Sequence, residues 1–156
     1  MEYQLRAVVF DDVSACRELL VEVLENRGYR VVSHSDLSAH PLYTNPEATC
    51  SSSACPDILL TDNRMPYMTG LEFLNRQRQC NCPLSPSAKA IFSGSWTTEE
   101  LQQSQQLGCQ IFHKPYEFDL IEAWLDEQEA LILARRAATG RTPITGKKHP
   151  EEEPVE

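Results

Sequence analysis

No stretch of this 156-residue chain approaches the roughly 18 consecutive apolar residues that a bilayer-crossing helix needs. Its start, MEYQLRAVVFDD, also lacks a charged leader followed by an apolar core. Both absences argue against a membrane span or an export signal, and a cytoplasmic protein is the simplest expectation. Positive charge is scarce too, with 14 Lys and Arg against 23 Asp and Glu and a net charge of -9. Phosphate backbones and anionic membranes select basic surfaces, so neither nucleic acid nor membrane is expected as a main partner. Residues 140–156 hold three Lys/Arg and four Glu, so they carry -1 of the total and leave -8 on the rest. The six cysteines lack zinc-knuckle spacing: four residues separate Cys50 from Cys55, and one separates Cys80 from Cys82. Reduced thiols are the leading expectation, with a four-thiolate zinc site or a disulfide within or between these pairs left open. Cys16 and Cys109 fall on expected core faces, where a thiol acts as a small hydrophobe.

What the chain does contain is a set of short apolar runs separated by helical stretches, the pattern of a parallel sheet buried on both faces. The runs are Leu5 to Phe10, Tyr29 to Ser33, Ile58 to Thr61, Ala88 to Phe92 and Cys109 to Phe112. A first helix is predicted from Ser14 to Arg27, with Cys16, Leu19, Leu20, Val23 and Leu24 at helical spacing and Gly28 just past its end. Where a second helix is due, the chain reads SDLSAHPLYTNPEATCSSSACP, whose prolines and Ser/Cys cluster predict a long loop with at most one helical turn. Thr69 with Glu72, and Thr97 with Glu100, are capping-box signatures that open helices near Gly70 and Thr98. The second of these runs to Leu107 and stops at Gly108. A last helix is predicted from Glu117 to Arg136, with Ile121, Trp124, Leu125, Gln128, Leu131 and Ile132 along one side. The length fits one folded domain over residues 1–136, followed by a polar tail over 137–156 expected to be disordered.

Polar residues follow four of the apolar runs: Asp11 and Asp12 after AVVF, Asp62 after ILLT, Ser93 after AIF, and Lys114 after QIFH. In a doubly wound sheet these positions share the carboxyl edge, where ligands bind. Converging carboxylates repel one another unless a cation lies between them, and a hard ion such as Mg²⁺ prefers oxygen donors. Lys114 completes the charge balance. Each residue has a plainer role when taken alone. Asp11 or Asp12 could cap the first helix, Asp62 could form a turn, Ser93 could be a small loop residue, and Lys114 a solvated charge.

FDD, LLTDNRMPYMTGLEFL, IFSGS and HKP, occurring in that order, resemble the receiver domain of bacterial two-component response regulators over about residues 3–134. The resemblance implies a five-stranded parallel α/β sheet with strand order 2-1-3-4-5 and a second helix that is short or replaced by a loop. It implies that Asp62 accepts a phosphoryl group from a sensor histidine kinase or a histidine phosphotransfer protein. Asp12 would bind Mg²⁺ directly, Asp11 mostly through water, and the main-chain carbonyl of Arg64 would add an oxygen. Lys114 and Ser93 would engage the phosphoryl oxygens, and the 93–114 face would then control a downstream protein target. A receiver is no enzyme beyond its own phosphorylation and dephosphorylation, and it works as a monomer or a phosphorylation-dependent dimer. No output module is expected after the last helix.

Some residues depart from the family pattern. Ile111 occupies the place, three residues before Lys114, where receivers commonly carry a switch aromatic, while Phe112 should face the other way. Arg64 and Ser95, two residues past Asp62 and Ser93, occupy places that the resemblance implies flank the route of the attacking water. Leu42 and Tyr43 are candidates to cover the sheet face that a missing second helix leaves bare. Two other readings compete with phosphorylation at Asp62. One is a pseudo-receiver that only docks. The other is a haloacid-dehalogenase-type phosphatase with Asp11 as nucleophile, whose motif wants a second Asp where this chain has Val13.

Overall fold

The computed structural model describes residues 2–39, 55–80, 82–138 and 142–144. In chain order these form β1 (Glu2–Gln4), β2 (Arg6–Phe10), α1 (Ser14–Asn26), β3 (Arg30–His34), a 3-10 turn (Leu37–Ala39) and β4 (Ile58–Asp62). Then come α2 (Gly70–Gln79), a second 3-10 turn (Pro86–Ala88), β5 (Lys89–Ser93), α3 (Thr98–Leu107), β6 (Gln110–His113), α4 (Phe118–Ala138) and β7 (Thr142–Ile144). Five strands make one parallel sheet in the order β3-β2-β4-β5-β6, which is 2-1-3-4-5 when that sheet's strands are counted alone.

Alternation along the strands divides the core into two layers. Val9, Leu60 and Phe92 point toward Leu20 and Leu24 of α1 and Ile121, Trp124 and Leu125 of α4. Phe10, Leu59 and Ile91 point the other way, toward Leu71, Phe73 and Leu74 of α2 and Leu107 of α3. Every residue of β4 and β5 is buried, so these central strands read as continuous apolar runs rather than alternating ones. Each fully buried Leu, Ile or Phe contributes on the order of 1.5–3 kcal/mol, which fixes the register and with it the positions of the strand ends.

Both capping boxes form. Glu72 N–H donates to Thr69 Oγ1 at 3.1 Å while Thr69 N–H donates to Glu72 Oε1 at 2.9 Å. The Thr97 and Glu100 pair repeats this at 3.0 Å in each direction. Gly108 ends α3 in the left-handed conformation, at φ 82°. Gly70 opens α2 under a steric demand: a Cβ there would lie 2.9 Å from the main-chain oxygen of Asp62 and 3.3 Å from Asn63 Cα. Neither backbone atom can swing aside, so Gly70→Ala should cost about 1–3 kcal/mol in urea unfolding and move the end of β4. An unchanged denaturation midpoint would contradict this.

Several expectations need correction. Helix α1 stops at Asn26, with Arg27 as its cap, and β3 starts at Arg30 because Tyr29 turns into the core. Pro86–Ala88 form a 3-10 turn, so β5 begins at Lys89. Leu19 is 45% exposed and Leu131 is 56% exposed, although helical spacing puts both beside core residues. Within the stretch expected to be a disordered tail, α4 continues to Ala138 and Thr142–Ile144 form β7, which pairs in parallel with β1 from Glu2↔Thr142 to Gln4↔Ile144, while residues 139–141 and 145–156 lie outside the described residues. Only the single turn Leu37–Ala39 follows β3 before residue 40. Leu42, Tyr43 and Cys50 lie outside the described residues.

Candidate functional site

Parallel pairing brings the ends of β2, β4, β5 and β6 to one edge. One carboxylate oxygen from each of Asp11, Asp12 and Asp62 lies within 4.8 Å of the others, the only such group of metal-ligating side chains among the described residues. Lys114 Nζ sits 3.2 Å from Asp11 Oδ2 and 3.2 Å from Asp62 Oδ1. Main-chain bonds hold the edge together: Asn63 N–H donates to the Phe92 oxygen at 2.8 Å, and Lys114 N–H donates to the Ser93 oxygen at 2.9 Å.

Asp11 is almost fully buried and held by several donors. Its Oδ1 accepts from Val13 N–H at 2.9 Å, while its Oδ2 accepts from Lys114 Nζ and from the Tyr116 hydroxyl, each at 3.2 Å. The N-cap of α1 is Val13, with no side-chain cap bond, so neither aspartate serves as the helix cap. Asp12 is exposed and aims at solvent from the same cluster.

Asp62 is 5% exposed. Burial pushes its carboxyl up to about 6; Lys114 pulls the other way, and the charges of Asp11 and Asp12 push further up. Burial also works against the Lys114 ammonium, but the charges and hydrogen bonds of Asp62 and Asp11 outweigh it and raise its pKa. An isolated ion pair would lower the acid and raise the base. Here both rise, because burial outweighs the pull of Lys114 on the Asp62 carboxyl, while two carboxylates together hold the proton on the one lysine.

Ser93 is fully buried at the end of β5, and its hydroxyl donates to the Ser95 oxygen at 2.7 Å. Arg64, half exposed, reaches across to Ser95: its Nη2 lies 3.3 Å from the Ser95 oxygen and 3.5 Å from Glu100 Oε1. The Arg64 main-chain carbonyl belongs to the same loop that leaves Asp62. Ile111 is half-buried on β6, and Phe112 stacks on Phe92 at 5.1 Å and meets Trp124 edge-on at 5.9 Å, on the α1/α4 side of the sheet.

Sequence reasoning missed four residues here. Tyr116 binds Asp11 through its hydroxyl and packs edge-on against Phe92 at 5.1 Å; burial, then the charge of Asp11, raise its phenol pKa. A hydroxyl-bearing ring two residues past Lys114 was the available signal. Trp96 donates its indole N–H to the Phe112 oxygen at 3.1 Å, tying the loop after β5 to β6. Asn63 and Glu100 bond side chain to side chain at 3.2 Å. Glu100 is legible in the sequence only as a cap. As for the cysteines, Cys16, Cys82 and Cys109 carry free thiols, and Cys80, Cys82 and Cys109 pack against the α2/α3 layer.

Oxygen-only donors, one of them solvent-facing, around a carboxyl whose ionisation is opposed chiefly by its burial, fit a hard divalent cation such as Mg²⁺. Among the described residues, no helix is long and apolar enough to cross a membrane.

The family model for the response regulator receiver domain matches residues 7–126. Among curated proteins, the chain is 28% identical over 149 residues to the transcriptional regulatory protein FixJ of Azorhizobium caulinodans; it covers 95% of this chain but only 61% of that protein. Among solved structures, the signal receiver domain of the putative response regulator NarL from Mycobacterium tuberculosis superposes with a TM-score of 0.62 at 24% identity, covering 81% of this chain and 98% of that one. The chemotaxis protein CheY4 of Vibrio cholerae gives 0.60 at 21% identity, with 80% and 98% covered. Full-length FixJ from B. japonicum gives 0.59 at 25% identity, with 88% and 69% covered.

Proposed function

Because the chain belongs to the response regulator receiver domain family, we propose that it is a working phospho-acceptor in a two-component relay, with Asp62 as the acceptor. The observation that carries this reading is a buried carboxylate at a strand end, joined by two further carboxylates and bound by a lysine. An Asp62 oxygen attacks the phosphorus of a phosphohistidine on a kinase or phosphotransfer protein. The O–P bond forms as the P–N bond breaks, and the imidazole leaves with the electron pair. Lys114 stays within reach of the incoming oxygens and offsets their charge, and Ser93 exchanges its bond to Ser95 for one to a phosphoryl oxygen. Asp12, Asp62 and the Arg64 carbonyl would hold Mg²⁺, with Asp11 acting mostly through water; the ion would neutralise charge on the transferring group. Asp11, already bound by Lys114, Tyr116 and Val13, is poorly free to act as a nucleophile, which favours this reading over the phosphatase. The output passes to a downstream protein.

Incubation with Mg²⁺ and acetyl phosphate, followed by intact mass, tests the assignment. One added phosphoryl group, labile to base and missing from Asp62→Asn, is expected. Absence of the adduct would leave a docking module, and an adduct lost on Asp11→Asn but kept on Asp62→Asn would favour the phosphatase.

A further inference from the structure

Glu100 is gripped from two sides. Its Oε1 accepts from Thr97 N–H at 3.0 Å within the cap of α3 and lies 3.5 Å from Arg64 Nη2, while its Oε2 accepts from Asn63 Nδ2 at 3.2 Å. Asn63, fully buried and next to Asp62, is itself locked: its Oδ1 accepts from Leu71 N–H at 3.1 Å and its main-chain oxygen from Gly70 N–H at 3.0 Å. A single carboxylate therefore joins the loop that leaves Asp62 to the first turn of α3. The strand-β6 leg of the site, by contrast, presents the aliphatic Ile111.

We infer that Glu100 is a positioning residue that carries the phosphorylation state of Asp62 to helix α3 through Asn63 and Arg64. This rests on the reading of Asp62 as the acceptor. The physical basis is competition for one cation. Arg64 is half exposed and spans Glu100 and Ser95 at 3.3–3.5 Å, so its guanidinium is free to turn toward a new dianion two residues away. When it turns, Glu100 loses its positive neighbour and faces added negative charge. The α3 cap and the Asn63 contact then reset together.

Glu100→Gln isolates this role. A Gln carbonyl still accepts from Thr97 N–H, so the capping box survives. Its amide, however, would meet the Asn63 amide donor to donor, and Asn63 cannot flip without abandoning Leu71 N–H. Trp96, between Ser95 and Thr97, is the native reporter, with Trp124 as an internal control in the core. The full chain, labelled with fluorotryptophan, is treated with Mg²⁺ and acetyl phosphate; intact mass gives occupancy and fluorine NMR gives the Trp96 response. The variant should be phosphorylated to within twofold of the parent while its Trp96 shift per phosphorylated molecule falls by half or more. A full Trp96 response at equal occupancy overturns the inference, and so does a variant that takes no phosphoryl group, since Glu100 would then act on transfer itself. A parent that takes none overturns the acceptor reading first, and the mass spectrum separates the two failures.

Discussion

Asp62→Asn should make the metal-free protein more stable at pH 8, by about 2–3 kcal/mol, while abolishing phosphorylation. In the folded chain the Asp62 carboxyl is pushed up to about 6 from an ordinary value of 3.8, first by burial and then by Asp11 and Asp12 against the pull of Lys114. A raised acid binds its proton more tightly when folded than when unfolded, so its stabilising contribution is complete below pH 3.8 and is lost as the pH rises through 6. At about 1.4 kcal/mol per pK unit the ionised carboxylate costs on the order of 3 kcal/mol relative to a neutral group at that place, a figure that already includes the attraction of Lys114. The advantage of the variant should therefore be near zero below pH 4 and reach its full size above pH 6. Saturating Mg²⁺ should cancel that advantage. At one hundred times its dissociation constant, a ligand bound only by the folded state adds about 2.7 kcal/mol, and the variant lacks one of the three carboxylates. Urea denaturation across pH, with chelator and with Mg²⁺, checks both halves. Equal stability of parent and variant at pH 8 in chelator would show that burial does not penalise the Asp62 carboxylate.

Arg27→Ala should be among the most damaging single changes in the fold, at about 3–5 kcal/mol, although it bonds none of the site residues. The Arg27 side chain is 8% exposed and meets Glu122 and Asp126 at 2.5 Å and Glu129 at 2.8 Å, joining the end of α1 to the middle of α4. Glu122 and Asp126 are well exposed and find water when the guanidinium goes. Glu129 is 16% exposed and also accepts from the Tyr29 hydroxyl at 3.0 Å, so it keeps a charge that water reaches poorly. Most of the loss comes from that stranded carboxylate and from the packing of the arginine stem. Arg27→Lys cannot repair it, because a point ammonium does not reproduce a fork that serves three carboxylates. Adding Glu129→Gln to Arg27→Ala should recover part of the stability. A cost below about 1 kcal/mol, or no recovery in the double variant, would show that these pairs act like ordinary solvated ones.

The parallel sheet was legible because Val9, Leu60 and Phe92, on strands far apart in sequence, are flanked by residues equally apolar on the opposite face, whereas its strand order was implied only by the resemblance to receiver domains. The start of α2 and α3 was legible because Thr69 with Glu72 and Thr97 with Glu100 form bonds local to one turn. Asp11, Asp12, Asp62 and Lys114 were legible as a group because each directly follows an apolar run, and parallel pairing brings those ends together. Tertiary context set what was missed. Leu19 and Leu131 satisfy helical spacing, but the stripe along each helix is wider than the surface that covers it. Asn63 and Glu100 meet across 37 positions, and Arg27 and Glu129 across 102, and no periodicity records such a pairing. Tyr116 offered the sequence only a hydroxyl-bearing ring two residues past Lys114, and its 3.2 Å bond to Asp11 is a tertiary contact.

The pairing of Glu2–Gln4 with Thr142–Ile144 has a kinetic consequence. Parallel neighbours need a crossover, and here the crossover is nearly the whole polypeptide, so closing this ladder before the rest has folded would cost the entropy of an enormous ring. Three residues on each side offer little in return. The two short segments should therefore zip together last and open first. Their amide protons, exchanging with solvent far sooner than those of the central strands, would serve as a local gauge of how well the body between them is assembled.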